Sequence, residues 1–437
     1  MKTQSTLKAA AIATGGALAL TLAACSSATD PATDTSATGE DGGGAEVPTG
    51  VTISLWHNAS DSQALLDLYA AYEAASGNTI ELVTLPSDGY PNAIQTKWAT
   101  GERPDLLEFH PNPQDMLQLN AKENMIDLSS MAFVAASEGL ADTVGNLDGT
   151  VYAAVLGPLA SFGIFYNMDV FEEAGVEPPT SYGDLLAACG DLTGTGADGV
   201  FMGGGSEFPI QMLTAFTYAT DWNEGDSYGL GVAAGEIKVN ADDSPILGGL
   251  EYLVDLQEAD CMNADATTAT FQDAVAAVGS GEAAATILPS DFINMFVDAG
   301  AAETVGFGAI TASEGRVSYA ASLLGTYFAP KTGDADREAV ALDFINFATG
   351  DGYQDYVDAA QATPTLNTAT APELDGMFAQ LSAQLESPTR TPTVNRSIPG
   401  FGNYGKLAAT VLAGQSTPTD AVDEFQTYID QAIAAQG

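Results

Sequence analysis

Apolar and polar residues alternate along Val51–Trp56 (VTISLW), with Val51, Ile53 and Leu55 set against Thr52, Ser54 and Trp56. A period of two predicts a half-buried strand. Ser60 and Gln63 have the spacing of a capping box, and Leu65, Leu68, Tyr69 and Tyr72 then recur at the helical period. Gly77-Asn78 stops that helix, and Thr79–Thr84 (TIELVT) reads as the next strand. A helix around Ala93–Thr100 and a third strand in Pro104–Phe109 (PDLLEF) complete a β-α-β-α-β run. This rhythm predicts a parallel sheet with helices on both faces. Ligands on such sheets bind beyond the carboxyl ends of the strands, which singles out the loops Trp56–Asp61, Leu85–Tyr90 and His110–Gln114.

Far along the chain, Arg337–Gly350 (REAVALDFINFATG) predicts an amphipathic helix ended by glycine, with Val340, Ala341, Phe344, Ile345 and Ala348 on its apolar face. Near the end, Thr417 caps a helix with Pro418 at its first position and Asp420 three residues on. Val422, Phe425, Ile429 and Ala432 form its packing stripe. The sequence shows no repeat of fixed period.

The first residues follow a different pattern. Lys2 and Lys8 precede an apolar run broken by Gly15 and Gly16, followed by Leu22-Ala23-Ala24-Cys25. A basic start, a short apolar segment and small residues make a secretory signal peptide over residues 1–24. The run is too short for the ~20 apolar residues of a membrane span. Its last four residues resemble the bacterial lipobox, which implies acylation of Cys25; several acyl chains there would tether the chain to a membrane. Residues 25–50 are then a lipidated cysteine and a flexible Ser/Ala/Thr/Asp/Gly linker, because such a composition buries too little surface to offset its ordering entropy.

Composition narrows the partners. The chain of 437 residues carries 58 acidic and 12 basic side chains, for a net charge of −46. That argues against nucleic acid and against anionic membrane surfaces, leaving the lipid anchor as the only membrane contact. With 46% hydrophobic residues the chain is not disordered, and its acidity serves solubility. The folded part exceeds one comfortable core, so two lobes are expected. After Cys25, an even pair of cysteines remains; in an exported protein Cys189 and Cys261 are expected to form a disulfide, worth roughly 4 kcal/mol in the chain-entropy model, with two separate buried thiols as the alternative.

The order of these features resembles the extracellular solute-binding proteins of carbohydrate ABC importers, the maltose-binding-protein-like group. The resemblance is carried by Ile53–Asn58 (ISLWHN), Ala99–Phe109 (ATGERPDLLEF), Asp148–Pro158 (DGTVYAAVLGP), Gly163–Leu185 (GIFYNMDVFEEAGVEPPTSYGDL), Phe271–Ile287 (FQDAVAAVGSGEAAATI) and the helix Arg337–Gly350 (REAVALDFINFATG). It implies an α/β, two-lobed periplasmic-binding-protein-like fold, with hinged lobes and a ligand cleft between them. The first lobe is expected over residues 51–160 plus about 322–362, the second over 161–321 plus 363–437. By resemblance the chain leaves the first lobe near Gly157–Phe162, returns near Ser318–Thr326 and crosses again near Thr363–Thr365.

A sugar offers hydroxyls and an apolar C–H face, so its receptor needs planar aromatics and fixed polar groups. Of the three tryptophans, Trp98 is spaced like a core residue, Trp56 ends the first strand as wall or platform, and Trp222 lies in a polar loop. Both histidines, His57 and His110, follow strands and would face one cleft. Asn58, Asp61, Asp88, Tyr90 and Asn112 occupy the same loop ends, with helix capping as the alternative, above all for Asp88. In the second lobe, Glu207 and Phe208 stand where the family tends to present an aromatic to the sugar. Asp291 and Phe292 replace a segment that carries tryptophan in many relatives, and Tyr327 interrupts a usually Gly-rich segment. Arg396, Phe401, Asn403 and Tyr404 surround glycines in NRSIPGFGNYG, where Arg396 serves either a ligand or an ion pair across the lobe. No metal site is expected, since the histidines have no further partners of their kind and the cysteines lie in the other lobe. No cofactor is expected.

These features together imply a receptor, not an enzyme: a monomeric, extracytoplasmic lipoprotein that binds an oligosaccharide and passes it to the permease subunits of an ABC importer. The alternatives are a binding protein for another small solute such as a polyamine, a secreted glycoside hydrolase with two carboxylates at fixed separation, and a structural surface protein. Phosphorylated ligands fit poorly, because the candidate loops offer little basic charge.

Overall fold

In the computed structural model, which describes residues 47–436, the opening alternation folds as strand β1 (Thr52–Asn58), with Ile53 and Leu55 fully buried. Helix α1 (Gln63–Ser76) buries Leu65, Leu68, Tyr69 and Tyr72, the expected face. Its cap is Ser62, whose hydroxyl accepts from the Leu65 amide. Ser60 instead belongs to the preceding turn, where its amide donates to Asn58 Oδ1. Gly77 ends α1 at φ 71°, a left-handed conformation that glycine adopts without steric cost. Then follow β2 (Thr79–Leu85), α2 (Tyr90–Ala99), β3 (Leu106–Glu108), a hairpin of β4 (Asn146–Leu147) and β5 (Thr150–Val151), and β6 (Ala153–Val155).

The second half of the topology is β7 (Leu159–Asn167), β8 (Asp198–Val200), β9 (Ala283–Pro289), β10 (Val305–Gly308), β11 (Ser318–Ala321), β12 (Thr326–Phe328) and β13 (Thr391–Pro392). Two main sheets result, and the fold is α/β and two-lobed. The first has the order β2-β1-β3-β12-β6 and the second β13-β11-β7-β9-β8, with β10 also paired to β7. The first sheet is parallel from β2 to β3, as expected, but mixed overall. β12 runs antiparallel to both neighbours because it arrives from the other lobe.

The helices expected from periodicity lie at Ala335–Thr349 and Pro418–Gln436. The former buries Val340, Ala341, Phe344, Ile345 and Ala348 in the first lobe. Val422, Phe425 and Ile429 of the latter enter the second-lobe core, while Ala432 is half-buried. Cys189 and Cys261, separated by 72 residues, are joined in a disulfide within that core. Among the described residues no helix is long and apolar enough to cross a membrane. Cys25 and the segment ahead of it lie outside the described residues.

Three passages connect the sheets. The chain leaves β6 through Gly157-Pro158 into β7, and returns from β11 through Ser322–Gly325 into β12. These two segments are bonded to each other, the amides of Leu156 and Gly157 donating to the Gly325 carbonyl at 2.9 and 3.2 Å. A Cβ on Gly157 would stand 2.2 Å from the Leu324 carbonyl oxygen, so only glycine fits. The third passage follows helix Tyr353–Ala360, where Thr363 donates to the Ser382 hydroxyl of helix Gly376–Leu385 at 3.1 Å and Thr365 donates to the Val155 carbonyl at 3.0 Å. Leu366 still lies in the first-lobe core and the Thr370 amide donates to Gln354 at 2.9 Å, whereas helix Gly376–Leu385 packs on β10 through Gln380.

Two stability outcomes follow. Gly157→Ala should push the passages apart and cost about 1–3 kcal/mol, read as a lowered urea midpoint. Replacing both Cys189 and Cys261 with alanine should cost about 2–4 kcal/mol, and the difference from wild type should vanish when wild type is measured in reductant.

Candidate ligand cleft

Strand direction decides which loops meet at the passages. β1, β2, β3 and β6 all run toward them, and so do β8, β9, β10, β11 and β13 in the second sheet. The carboxyl ends of both sheets therefore face the hinge, the position at which open α/β sheets bind ligands.

On the first lobe, most of the expected ligand residues turn inward. Trp56 is 5% exposed, packed among Leu85, Tyr90, Ile94 and Trp98 with the Lys97 ammonium 5.0 Å from its ring centroid. His57 is buried between Thr84 Oγ1, 2.8 Å from Nε2, and Asp61 Oδ2, 3.0 Å from Nδ1. The same Asp61 oxygen accepts the Tyr69 hydroxyl at 3.0 Å, and Tyr69 meets the Tyr327 hydroxyl at 2.7 Å. Asn58 Oδ1 accepts from the Ser60 amide and the Ser87 hydroxyl, pinning two loops together. Tyr90 donates to the Glu108 carbonyl at 2.7 Å. These side chains form a buried polar scaffold beneath the loops, their polar atoms bonded within the lobe except Asp61 Oδ1, which is buried without a partner. Tyr327, with no exposed surface, is likewise core.

The loop after β3 is more open. His110 is half-buried, with Nδ1 4.0 Å from Asp115, and Asn112 donates to the same carboxylate at 3.3 Å. Burial pushes the His110 imidazole below its ordinary range and the Asp115 carboxyl above its own. Asp88 is exposed, and Gly89 rather than Asp88 holds the cap position of α2.

The second lobe offers aromatics. Phe292 stacks on Phe271 at 4.9 Å, and Phe208 lies 5.2 Å from Phe271 and 5.8 Å from Phe292. Phe208 and Phe292 remain half-buried, Phe292 just beyond the end of β9 and next in sequence to Asp291. Exposed Glu207 adjoins Phe208 at φ 58°. Asp291 accepts from the Ser322 hydroxyl at 3.0 Å, linking the second lobe to the returning passage, and burial raises its carboxyl to about 6. Phe216 is half-buried, 5.2 Å from Phe162 and 5.6 Å from Phe401.

Other expected residues are placed elsewhere. Trp222 is half-buried in a group with Tyr218, itself against Tyr182 and Tyr252. Phe401 and Tyr404 pack on Phe425 inside the lobe, and Tyr404 donates to Thr214 at 2.9 Å. Asn403 bonds only its own turn, at Gly400. Arg396 approaches Asp226 at 3.7 Å and donates to the Thr143 carbonyl of the first lobe, so it bridges the lobes. Sequence reading singled out neither Glu108 nor Phe216, and it placed Tyr69 only on a helix face and Ser87 and Ser322 only within their loop and passage. Glu108 left a trace as a single carboxylate inside the otherwise apolar strand LLEF.

Among the described residues no group of three or more His, Cys, Asp or Glu side chains is set to hold a metal.

The family model of the bacterial extracellular solute-binding protein matches residues 57–355. YcjN of Escherichia coli (strain K12), named as an ABC transporter periplasmic-binding protein, is 28% identical over 154 residues, which cover 32% of this chain and 35% of YcjN. The match thus spans about a third of that curated relative's length. Among solved structures, the solute-binding protein RafE in complex with raffinose aligns with a TM-score of 0.75 at 16% identity, covering 87% of this chain and 99% of RafE. A chitin oligosaccharide binding protein aligns at 0.75 with 19% identity, covering 88% and 99%. A sugar transporter protein of Bacillus licheniformis in complex with stachyose aligns at 0.68 with 19% identity, covering 86% and 98%. These likenesses establish the fold.

Asp291 gives a pH outcome. Its folded-state carboxyl titrates above the ordinary aspartate value, so its contribution to stability is full in acid and is lost as pH rises through about 6. Asp291→Asn should therefore gain stability over wild type between pH 5 and 8 by about 1–2 kcal/mol, measured by urea unfolding at each pH.

Proposed function

We infer the role of this chain from one premise: it belongs to the bacterial extracellular solute-binding protein family. On this reading it captures an oligosaccharide between its lobes and delivers it, chemically unchanged, to the permease of an ABC importer. It acts as a monomer outside the cytoplasm, tethered through an acylated Cys25. The observation that carries the sugar assignment is the half-buried pair of Phe208 and Phe292 beside Asp291 in the second lobe. Ring faces take the C–H surface of a sugar, and a carboxylate with one oxygen engaged by Ser322 can accept a hydroxyl on the other. Arg396, already held by Asp226 and Thr143, leaves little positive charge for an anionic ligand. Closure of the lobes hides the solute from water and creates a shape that a permease can distinguish from the open one.

Calorimetry of the protein against raffinose, stachyose and chitin oligosaccharides should show binding near micromolar strength, about −8 kcal/mol, with the recovered sugar intact by chromatography. Phe292→Ala should weaken that binding about tenfold. Released monosaccharide would instead indicate a hydrolase, and heat with diamines alone a polyamine receptor.

A further inference from the structure

Glu108 is wholly buried at the end of β3, and each of its carboxyl oxygens accepts a backbone amide. Oε1 takes the Gly325 amide of the returning passage at 2.7 Å, and Oε2 takes the Asn58 amide at the end of β1 at 3.0 Å. Asn58 in turn gathers Ser60 and Ser87, so this one carboxyl ties the hinge to two cleft-facing loops. Beside it stands a second buried carboxyl, Asp61, whose side chain is 2% exposed. Asp61 Oδ2 accepts from Tyr69 and faces His57, but Oδ1 is buried without a hydrogen-bond partner. An orphaned carboxylate oxygen in such a place requires a donor, and a neighbouring carboxylic O–H supplies one.

We propose that Glu108 is the positioning residue of the hinge, and that it shares one proton with Asp61, so that the paired carboxyls hold Gly325 against the β1 loop and set how the lobes close. The consequence for ligand affinity rests on the cleft reading above; the hinge contact does not. The groups facing the pair are His57 from β1, Tyr69 from α1, Tyr90 from α2, Tyr327 from β12 and Tyr356 from helix Tyr353–Ala360. Burial, reinforced by the Asp61 charge, raises the Glu108 carboxyl well above the carboxylate range. The shared-proton state is therefore full in acid and is lost as pH rises.

Hydrogen exchange on the full, ligand-free chain tests this. Protection of residues 322–327, corrected for the intrinsic pH effect, should fall at least about tenfold between about pH 6 and about pH 9, while helix Ala335–Thr349 keeps its protection. Asp61→Asn should hold protection at both pH values, because its amide donates to an ionised Glu108 and removes the like charge. Glu108→Gln should lose about tenfold already at pH 6, since a carboxamide accepts on only one atom. Identical pH profiles for wild type and Asp61→Asn would overturn the proposal, as would loss shared by helix Ala335–Thr349. If Glu108→Gln does not fold, the Asp61→Asn profile alone decides. Sugar calorimetry, run separately, reports on the cleft reading.

Discussion

Where the two passages touch, there is no room for a side chain. Gly157 lies so close to Leu324 and Gly325 that a single methyl group would overlap backbone oxygen, and Gly325 itself needs φ 75°. This contact fixes the end of β6 to the start of β12, and hence fixes where both sheets point their carboxyl ends. A small apolar cluster of Val144, Val155 and Ala321, with Leu140 and Leu159, packs around the same place. The position of every cleft loop follows from that junction, because short loops cannot move far from the strands that end there.

The two lobes solve burial differently. Beneath the first-lobe loops lies a polar scaffold of His57, Asn58, Asp61, Tyr69, Ser87 and Glu108, bonded across elements except at Asp61 Oδ1. The second lobe instead gathers phenylalanines, with Phe271 at the centre and Phe208 and Phe292 half-buried around it. Buried polar networks are rigid when satisfied, so the first lobe holds its loops in place while the second supplies apolar surface.

Acidity shapes the same architecture. With 58 acidic and 12 basic residues, few carboxylates can find a cation. The exposed pairs Lys97–Glu102, Lys122–Asp148 and Lys238–Asp430 contribute little in water. Inside, amides and hydroxyls hydrogen-bond the carboxyls, with Arg337 also 3.4 Å from Asp105. Asp105 takes the amide and hydroxyl of Ser54, Asp221 the amides of Glu314 and Arg316, and Glu108 those of Asn58 and Gly325. An interior poor in cations thus ties neighbouring segments together through backbone donors, which carry no charge to lose with salt or pH.

What the sequence determined by itself was local. Strand β1, helix α1 and the helices Ala335–Thr349 and Pro418–Gln436 follow from period alone, because each hydrophobic stripe is set by residues within a few turns of one another. The two-lobed fold was legible through the order of its motifs, and the bonded pair Cys189–Cys261 through an even count. Only the tertiary structure decided which polar and aromatic side chains face the cleft. His57, Asn58 and Asp61 sit at the right strand ends yet turn inward, Tyr327 meets Tyr69 from 258 residues away, and Glu108 finds Gly325 at a separation of 217. Burial and hydrogen bonding are properties of pairs that folding brings together, so no window of sequence around either partner contains them.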